Sequence, residues 1–203
     1  MLRKAKCFWQ ASLLTKLHNL SNLYYKIKGV ILYRFIFEEF GKGSYIRKPI
    51  LILNPEYIRL GERVSIRDGV RMEVILSAGH RTPSLIIGDD TNIEQNVHII
   101  CHSRMHIGNN VSITGNCSIV DVTHPFSDVH DSRKIGARIL DDDSFVEIGD
   151  GTFIGYGAVI LPNVRIGANA VIGANSVVAH DVPDYSVASG VPAIIISRIV
   201  HEN

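Results

Sequence analysis

From Ile148 the chain reads IGDGTF, IGYGAV, ILPNVR, IGANAV, IGANSV and VAHDVP, six phrases of six residues that end at Pro183. An aliphatic residue opens each phrase: Ile148, Ile154, Ile160, Ile166, Ile172 and Val178. The fifth place is always small or β-branched: Thr152, Ala158, Val164, Ala170, Ser176 and Val182. A period of six is neither the 3.6 of a helix nor the two of a plain strand. It suits a short strand followed by a turn, with the aliphatic and small residues inward. Gly, Asn and Asp then take the turn positions whose dihedrals other residues resist. Three units close one triangular coil, and stacked coils pair backbones at the ordinary strand spacing of ~4.8 Å.

The same phrase recurs earlier in shorter runs, opening at Leu60 and Ile66, at Ile87, Ile93 and Ile99, and at Ile107, Ile113 and Ile119. The small fifth residues of these runs are Val64, Val70, Thr91, Val97, Ser103, Val111, Cys117 and Thr123. Loops are expected where the runs break. The largest break lies between His124 and Glu147, a polar stretch containing HPFSDVHDSRK. An excursion of that size from a regular solenoid is a natural place for function.

The totals exclude several classes. The chain has 203 residues, 46% of them hydrophobic, with 21 Lys+Arg against 20 Asp+Glu. That near balance argues against a dedicated nucleic-acid binder. The charge is unevenly spread: Arg3, Lys4, Lys6, Lys16, Lys26, Lys28 and Arg34 precede the first acidic residue, Glu38. Cys7, Cys101 and Cys117 are far apart and odd in number, which offers neither a metal pair nor a disulfide framework and fits a reducing compartment. No uninterrupted apolar stretch approaches the ~20 residues of a membrane span; the segment Gly29–Phe37 is too short and contains Arg34. No secretory cleavage pattern is evident, so a cytoplasmic location is expected.

Leu13, Leu17, Leu20, Tyr24, Ile27 and Ile31 are spaced as one stripe of a helix, with lysines around them. Two readings of this basic amphipathic head stay open. It packs on the first coil or a neighbouring subunit, or it rests on an anionic membrane surface or a membrane-bound partner enzyme of glycan assembly.

The repeat resembles that of the hexapeptide acyltransferases, over Ile46 to Ile199. The resemblance implies an all-β fold, a left-handed parallel β-helix, preceded by the N-terminal helical segment. The expected organisation is a head over residues 1–45, a coil over 46–186 with an excursion over 124–147, and a C-terminal cap over 187–203. The ending DVPDYSVASGVPAIIISRI, Asp181 to Ile199, is similar to that of the maltose, galactoside and polysaccharide O-acetyltransferases. It implies acetyl-CoA as co-substrate, no metal, and a homotrimer with the coenzyme cleft between coils of adjacent subunits.

In that family a histidine after a run of repeats activates the acceptor. The matching stretch is IGNNVSITGNCSIVDVTHPF, Ile107 to Phe126, and the histidine is His124. A sugar hydroxyl attacks a thioester poorly until a neighbour takes its proton, and imidazole, with an intrinsic pKa near ~6.5, suits that task. The resemblance places Asn109 where galactoside-type members bind the acceptor; Asp121 is a candidate to line the acceptor pocket or to orient His124, and reads equally well as a plain turn aspartate. For the coenzyme it implies Gly155, Gly157 and Ala174 as close-approach positions. His180 stands at a place usually held by lysine, and Arg198 is the candidate for a phosphate.

The function expected is transfer of acetyl from acetyl-CoA to a sugar hydroxyl in bacterial surface-polysaccharide or lipopolysaccharide synthesis. N-acetylation of an amino sugar nucleotide is the main alternative; a xenobiotic acetyltransferase and a non-catalytic scaffold fit less well. His98, His102 and His106 suggest a zinc hydratase on a similar scaffold, yet their spacing does not match its ligand pattern, and along a coil they would project from different faces.

Overall fold

The computed structural model describes residues 12–76, 82–140 and 142–199. Arg3, Lys4, Lys6 and Cys7 of the basic head lie outside the described residues.

Helix α1 (Leu13–Ile31) opens the described chain. Ser12 caps it, its Oγ accepting from the Thr15 N–H at 3.2 Å. Lys28 in the last turn complements the helix dipole. The helix stands where the spacing of its leucines predicts, but it packs through another ridge. Tyr25 and Gly29 are buried, whereas Leu13, Leu17, Leu20, Tyr24, Ile27 and Ile31 are all at least half exposed. Gly29 permits the approach, since a Cβ there would lie 2.7 Å from the Phe40 ring. The Arg47 guanidinium stacks over Tyr25, 5.5 Å from its centroid, and donates to Asn22 Oδ1 at 2.9 Å.

The coil follows as three parallel stacks. Stack A holds β1 (Glu39–Phe40), β4 (Ile58–Leu60), β7 (Ser84–Ile87), β10 (Arg104–Ile107), β13 (Phe145–Ile148) and β16 (Val164–Ile166). Stack B holds β2 (Tyr45–Ile46), β5 (Ser65–Ile66), β8 (Asn92–Ile93), β11 (Ser112–Ile113), β14 (Phe153–Ile154), β17 (Val171–Ile172) and β19 (Ser186–Gly190). Stack C holds β3 (Leu51–Leu53), β6 (Arg71–Val74), β9 (His98–Cys101), β12 (Ser118–Val120), β15 (Val159–Ile160) and β18 (Val177–Val178). Strand β20 (Ala193–Arg198) returns antiparallel on β19 and caps stack B. The architecture is the left-handed β-helix that the repeat implied.

Register turns the six-residue period into columns. Ile66, Ile93, Ile113, Ile154 and Ile172 are successive partners in stack B, all fully buried. Such columns, repeated in all three stacks, put aliphatic side chains in contact along the axis and bury apolar surface. Corners explain the Asn and Gly of each phrase. Asn96, Asn110, Asn116, Asn163, Asn169 and Asn175 all have φ between 52° and 62°, the left-handed region that Asn tolerates best among residues with a Cβ. At Gly149 the need is close approach: a Cβ would lie 2.5 Å from the Ala168 nitrogen on the next rung.

The coil begins earlier than residue 46, because Glu39 and Phe40 already pair with Arg59 and Leu60. It reaches beyond residue 186, since Val187 and Ala188 continue stack B against Val171 and Ile172. The excursion opens at Asp121 after β12, carries a short 3-10 turn at Ile135–Ala137 and ends before β13 at Phe145, rather than running over 124–147. Each long interval between the residues that open successive phrases, namely 52–60, 72–87, 99–107 and 119–148, falls between stack C and stack A. The coil is therefore smooth at two corners and sheds its loops from the third.

Candidate active site at the corner that sheds loops

The excursion leaves this corner and folds back over stack C. Its base is closed where the Leu140 N–H donates to the Thr123 carbonyl at 3.1 Å. Arg138 ties its interior together. The guanidinium donates to the carbonyls of Arg133 at 2.9 Å, Asp128 at 3.0 Å and Asp131. It also lies 3.4 Å from the Asp131 carboxylate, and its side chain is only 11% exposed. Arg133 beside Asp131 holds that carboxyl down at about 2.

Inside this frame His124 is half-buried, with Nδ1 3.0 Å from the Arg138 carbonyl oxygen. A carbonyl oxygen only accepts, so Nδ1–H is the donor, and in the neutral ring the lone pair is on Nε2. The ring lines a cavity of about 510 Å³ together with Arg71, Glu73, Ile75, His98, Ile100, Ser118, Val120, Val122 and Gly136. A larger cavity of about 530 Å³, lined by residues such as Glu147, Arg165, Asp181 and Asp184, contains none of the candidate residues.

Asp121 does not meet His124. Its side chain is fully buried and accepts from three backbone N–H groups, of His102, Ser103 at 2.9 Å and Arg104 at 3.0 Å. Burial pushes its carboxyl up, against the pull of those donors. The residue secures the turn between β9 and β10, and the Arg138 carbonyl holds the imidazole in its place. The local reason is the chain direction: Asp121 is the first residue past β12 and still faces the coil, while the backbone turns outward only after it.

Asn109 is likewise committed elsewhere. It sits at the corner between stacks A and B, where its Oδ1 accepts from the Asp89 N–H at 2.9 Å and its Nδ2 reaches Asp150 at 3.2 Å. It belongs to a ladder of short polar side chains, with Asp150 accepting from the Asn109 N–H at 2.7 Å and Asp184 from the Ala168 N–H at 2.8 Å. Within one chain it lies at a different corner from His124.

The coenzyme candidates separate into three places. Gly155, Gly157 and Ala174 share the corner between stacks B and C, on successive rungs. Packing accounts for both glycines: a Cβ on Gly155 would lie 2.6 Å from the Ala174 nitrogen, and Gly157 has φ +70°. Ala174 is exposed at that corner. His180, also exposed, follows β18 at the loop-shedding corner, and Arg198 pairs with Ser186 at the far end of stack B. A single chain does not gather these residues with His124.

The three histidines point three ways. His98 faces out from stack C, His102 is buried at the corner, and His106 is exposed on stack A. Among the described residues no His, Cys, Asp and Glu cluster has the makings of a metal site. Cys101 and Cys117 are buried with thiols pushed up by burial, so they act as core residues. Sequence reasoning missed Arg138, which lies in an aperiodic stretch with nothing to mark it. It also missed Arg71 and Glu73; their place beside His98 follows from rung register, visible only once the coils are phased.

Comparison with known proteins agrees with the fold and the repeat. Residues 145–180 match the model of the bacterial transferase hexapeptide family (six repeats). The Escherichia coli protein that bears the name "Putative lipopolysaccharide biosynthesis O-acetyl transferase WbbJ" is 30% identical over 194 residues, covering 93% of this chain and 94% of its own. The galactoside O-acetyltransferase of Lactococcus lactis is 36% identical over 104 residues, 51% of this chain and 48% of its own, so the chain spans about half that relative's length. The N-acyltransferase AntD of Bacillus cereus, solved with dTDP and 3-hydroxybutyryl-CoA, shares the fold with a TM-score of 0.69 at 21% identity, over 82% of this chain and 86% of that one. A full-length relative, the matched repeat and the three parallel stacks agree: the chain belongs to the hexapeptide-repeat acyltransferases, a family of acyl-CoA-dependent enzymes.

Proposed function

We propose that the protein transfers acetyl from acetyl-CoA to a hydroxyl of a sugar in surface-polysaccharide or lipopolysaccharide synthesis, with His124 as general base. The observation that carries the reading is the 3.0 Å contact between His124 Nδ1 and the Arg138 carbonyl, which makes Nε2 the accepting nitrogen of the neutral ring, on a side chain that lines a sugar-sized cavity. The acceptor oxygen attacks the thioester carbonyl carbon while Nε2 takes its proton. The carbon–sulfur bond then breaks, and the departing thiolate receives that proton from Nε2. No covalent enzyme intermediate is needed when both substrates are bound together. Full-length likeness to a protein named for lipopolysaccharide O-acetyl transfer supports the choice of acceptor.

The working unit is a homotrimer. His124 lies over the C face while Ala174 lies at the corner between stacks B and C, so a neighbouring copy is needed to bring an acetyl-CoA held there to the imidazole. Packing does not account for the exposure of Ala174, and a pantetheine arm fits such a bare corner. The outward stripe of α1, flanked by Lys16, Lys26 and Lys28, is the surface for a neighbouring subunit or for the cytoplasmic membrane and its glycan enzymes. Among the described residues no helix is long and apolar enough to cross a membrane.

The test is transfer of labelled acetyl from acetyl-CoA to free, nucleotide-linked and lipid-linked sugars, with amino sugars included. Alkali-labile ester on a sugar hydroxyl is expected. Alkali-stable amide formed only on amino sugars contradicts the O-transfer reading.

A further inference from the structure

The cavity beside His124 has a floor whose chemistry the base itself does not use. Parallel register sets two outward columns on stack C. Arg71, His98 and Ser118 are successive partners in one, and Glu73, Ile100 and Val120 in the other. The Arg71 guanidinium bonds the Glu73 carboxylate, so the two charges cancel within the floor. Glu73 is 14% exposed and Arg71 40%, which makes this a pair held against the coil with one edge open. Burial first, and the Arg71 charge second, push the His98 imidazole down from its ordinary value, against a smaller opposing pull from Glu73. The net effect favours the neutral ring. Ile75, Ile100, Val120 and Val122 give the rest of the lining an apolar strip.

A polar edge beside an apolar strip, with no net charge, matches one class of small molecule. A pyranose presents hydroxyls around its rim and C–H bonds on its face. Carboxylate, guanidinium and imidazole supply acceptors and donors for the rim, and the valine and isoleucine side chains take the face. A diphosphate would meet a guanidinium already neutralised by its own carboxylate. From this juxtaposition we infer that Arg71, Glu73 and His98 form the acceptor-recognition floor beside His124, and that it takes an uncharged pyranose rather than the phosphate of a sugar nucleotide. This assignment rests on the reading of His124 as the base.

The experiment uses full-length protein saturated with coenzyme A, with ring-¹⁵N-labelled histidine, titrated separately with methyl β-galactopyranoside, glucosamine and UDP-galactose. The His98 and His124 ring signals are expected to move together with the uncharged galactoside and to saturate. Glu73→Gln and His98→Gln should each weaken that binding tenfold or more, with unchanged circular dichroism and coenzyme affinity. UDP-galactose should bind within threefold of the plain glycoside. No movement of His98, movement of His124 alone, or UDP-galactose or glucosamine binding tenfold tighter would overturn the assignment, and the first two outcomes are readable in the wild-type chain even if a variant fails to fold. Acetyl transfer by His124→Ala, run alongside, separates the two claims. Lost turnover with an unresponsive His98 defeats the floor and spares the base, whereas retained turnover defeats the base.

Discussion

The backbone carbonyl of Arg138 lies 3.0 Å from His124 Nδ1, and the side chain of the same Arg138 is bound by carbonyls of the loop it belongs to. One residue therefore fixes the excursion with its guanidinium and the tautomer of the imidazole with its carbonyl. The contact spans 14 residues of the loop, so the aim of the ring depends on the loop keeping its shape.

Arg138 is thus a positioning residue, and Arg138→Ala should lower turnover about tenfold while coenzyme affinity stays within twofold. The scale follows from loss of orientation with the base still present. Loop amides from Asp128 to Arg133 should exchange with solvent faster, and the melting temperature should change little because the buried columns are elsewhere. Arg138→Lys, which keeps the charge but not the fork of donors, should recover only part of the rate. Unchanged turnover and unchanged loop exchange would contradict this role.

Asp121 should matter for stability. Its carboxylate satisfies three backbone N–H groups in a buried turn, and Asp121→Asn substitutes a donor for one of the accepting oxygens. A loss of about 1–3 kcal/mol is expected from the donors left unpaired. Urea unfolding measures it, and a change below about 0.5 kcal/mol, the scale of an ordinary surface substitution, contradicts the assignment.

His98 gives a pH signature. Its folded value lies below that of the unfolded chain, near 6.5, so the unfolded state binds the proton first. Stability is full above that value and is lost as pH falls through the folded one, beyond which the loss levels off. Arg71→Met should raise the His98 value towards the ordinary one, and Glu73→Gln should lower it further, as read from the ring resonances. Shifts of the opposite sign would show that the three groups do not share the cavity floor.

Much of the fold was legible because the coil repeats one local problem. Most corners between stacks A and B and between B and C hold a left-handed residue, and each rung an inward aliphatic, so Asn169 and Ile172 announce their roles unaided. The first rung was missed because the Asn54–Tyr57 insertion breaks the spacing after Phe40, Ile46 and Ile52. The helix was legible but its contact face was not: Tyr25 and Gly29 form the buried ridge through a steric fit to Phe40 that no apolar stripe reports. Site residues were legible only where a motif named them. An aspartate just past a strand, such as Asp121, reads the same whether it faces a pocket or caps a turn. Arg71 and His98 are 27 residues apart and meet only through the register of two rungs.

The central claim is that one imidazole, at position 124, takes the acceptor proton. Single-turnover acetyl transfer by His124→Ala, with coenzyme affinity measured on the same preparation, tests it most directly. A rate lower by about 10²–10⁴, with coenzyme binding within twofold of wild type, is the expected result for a missing general base. A rate within threefold of wild type would contradict it.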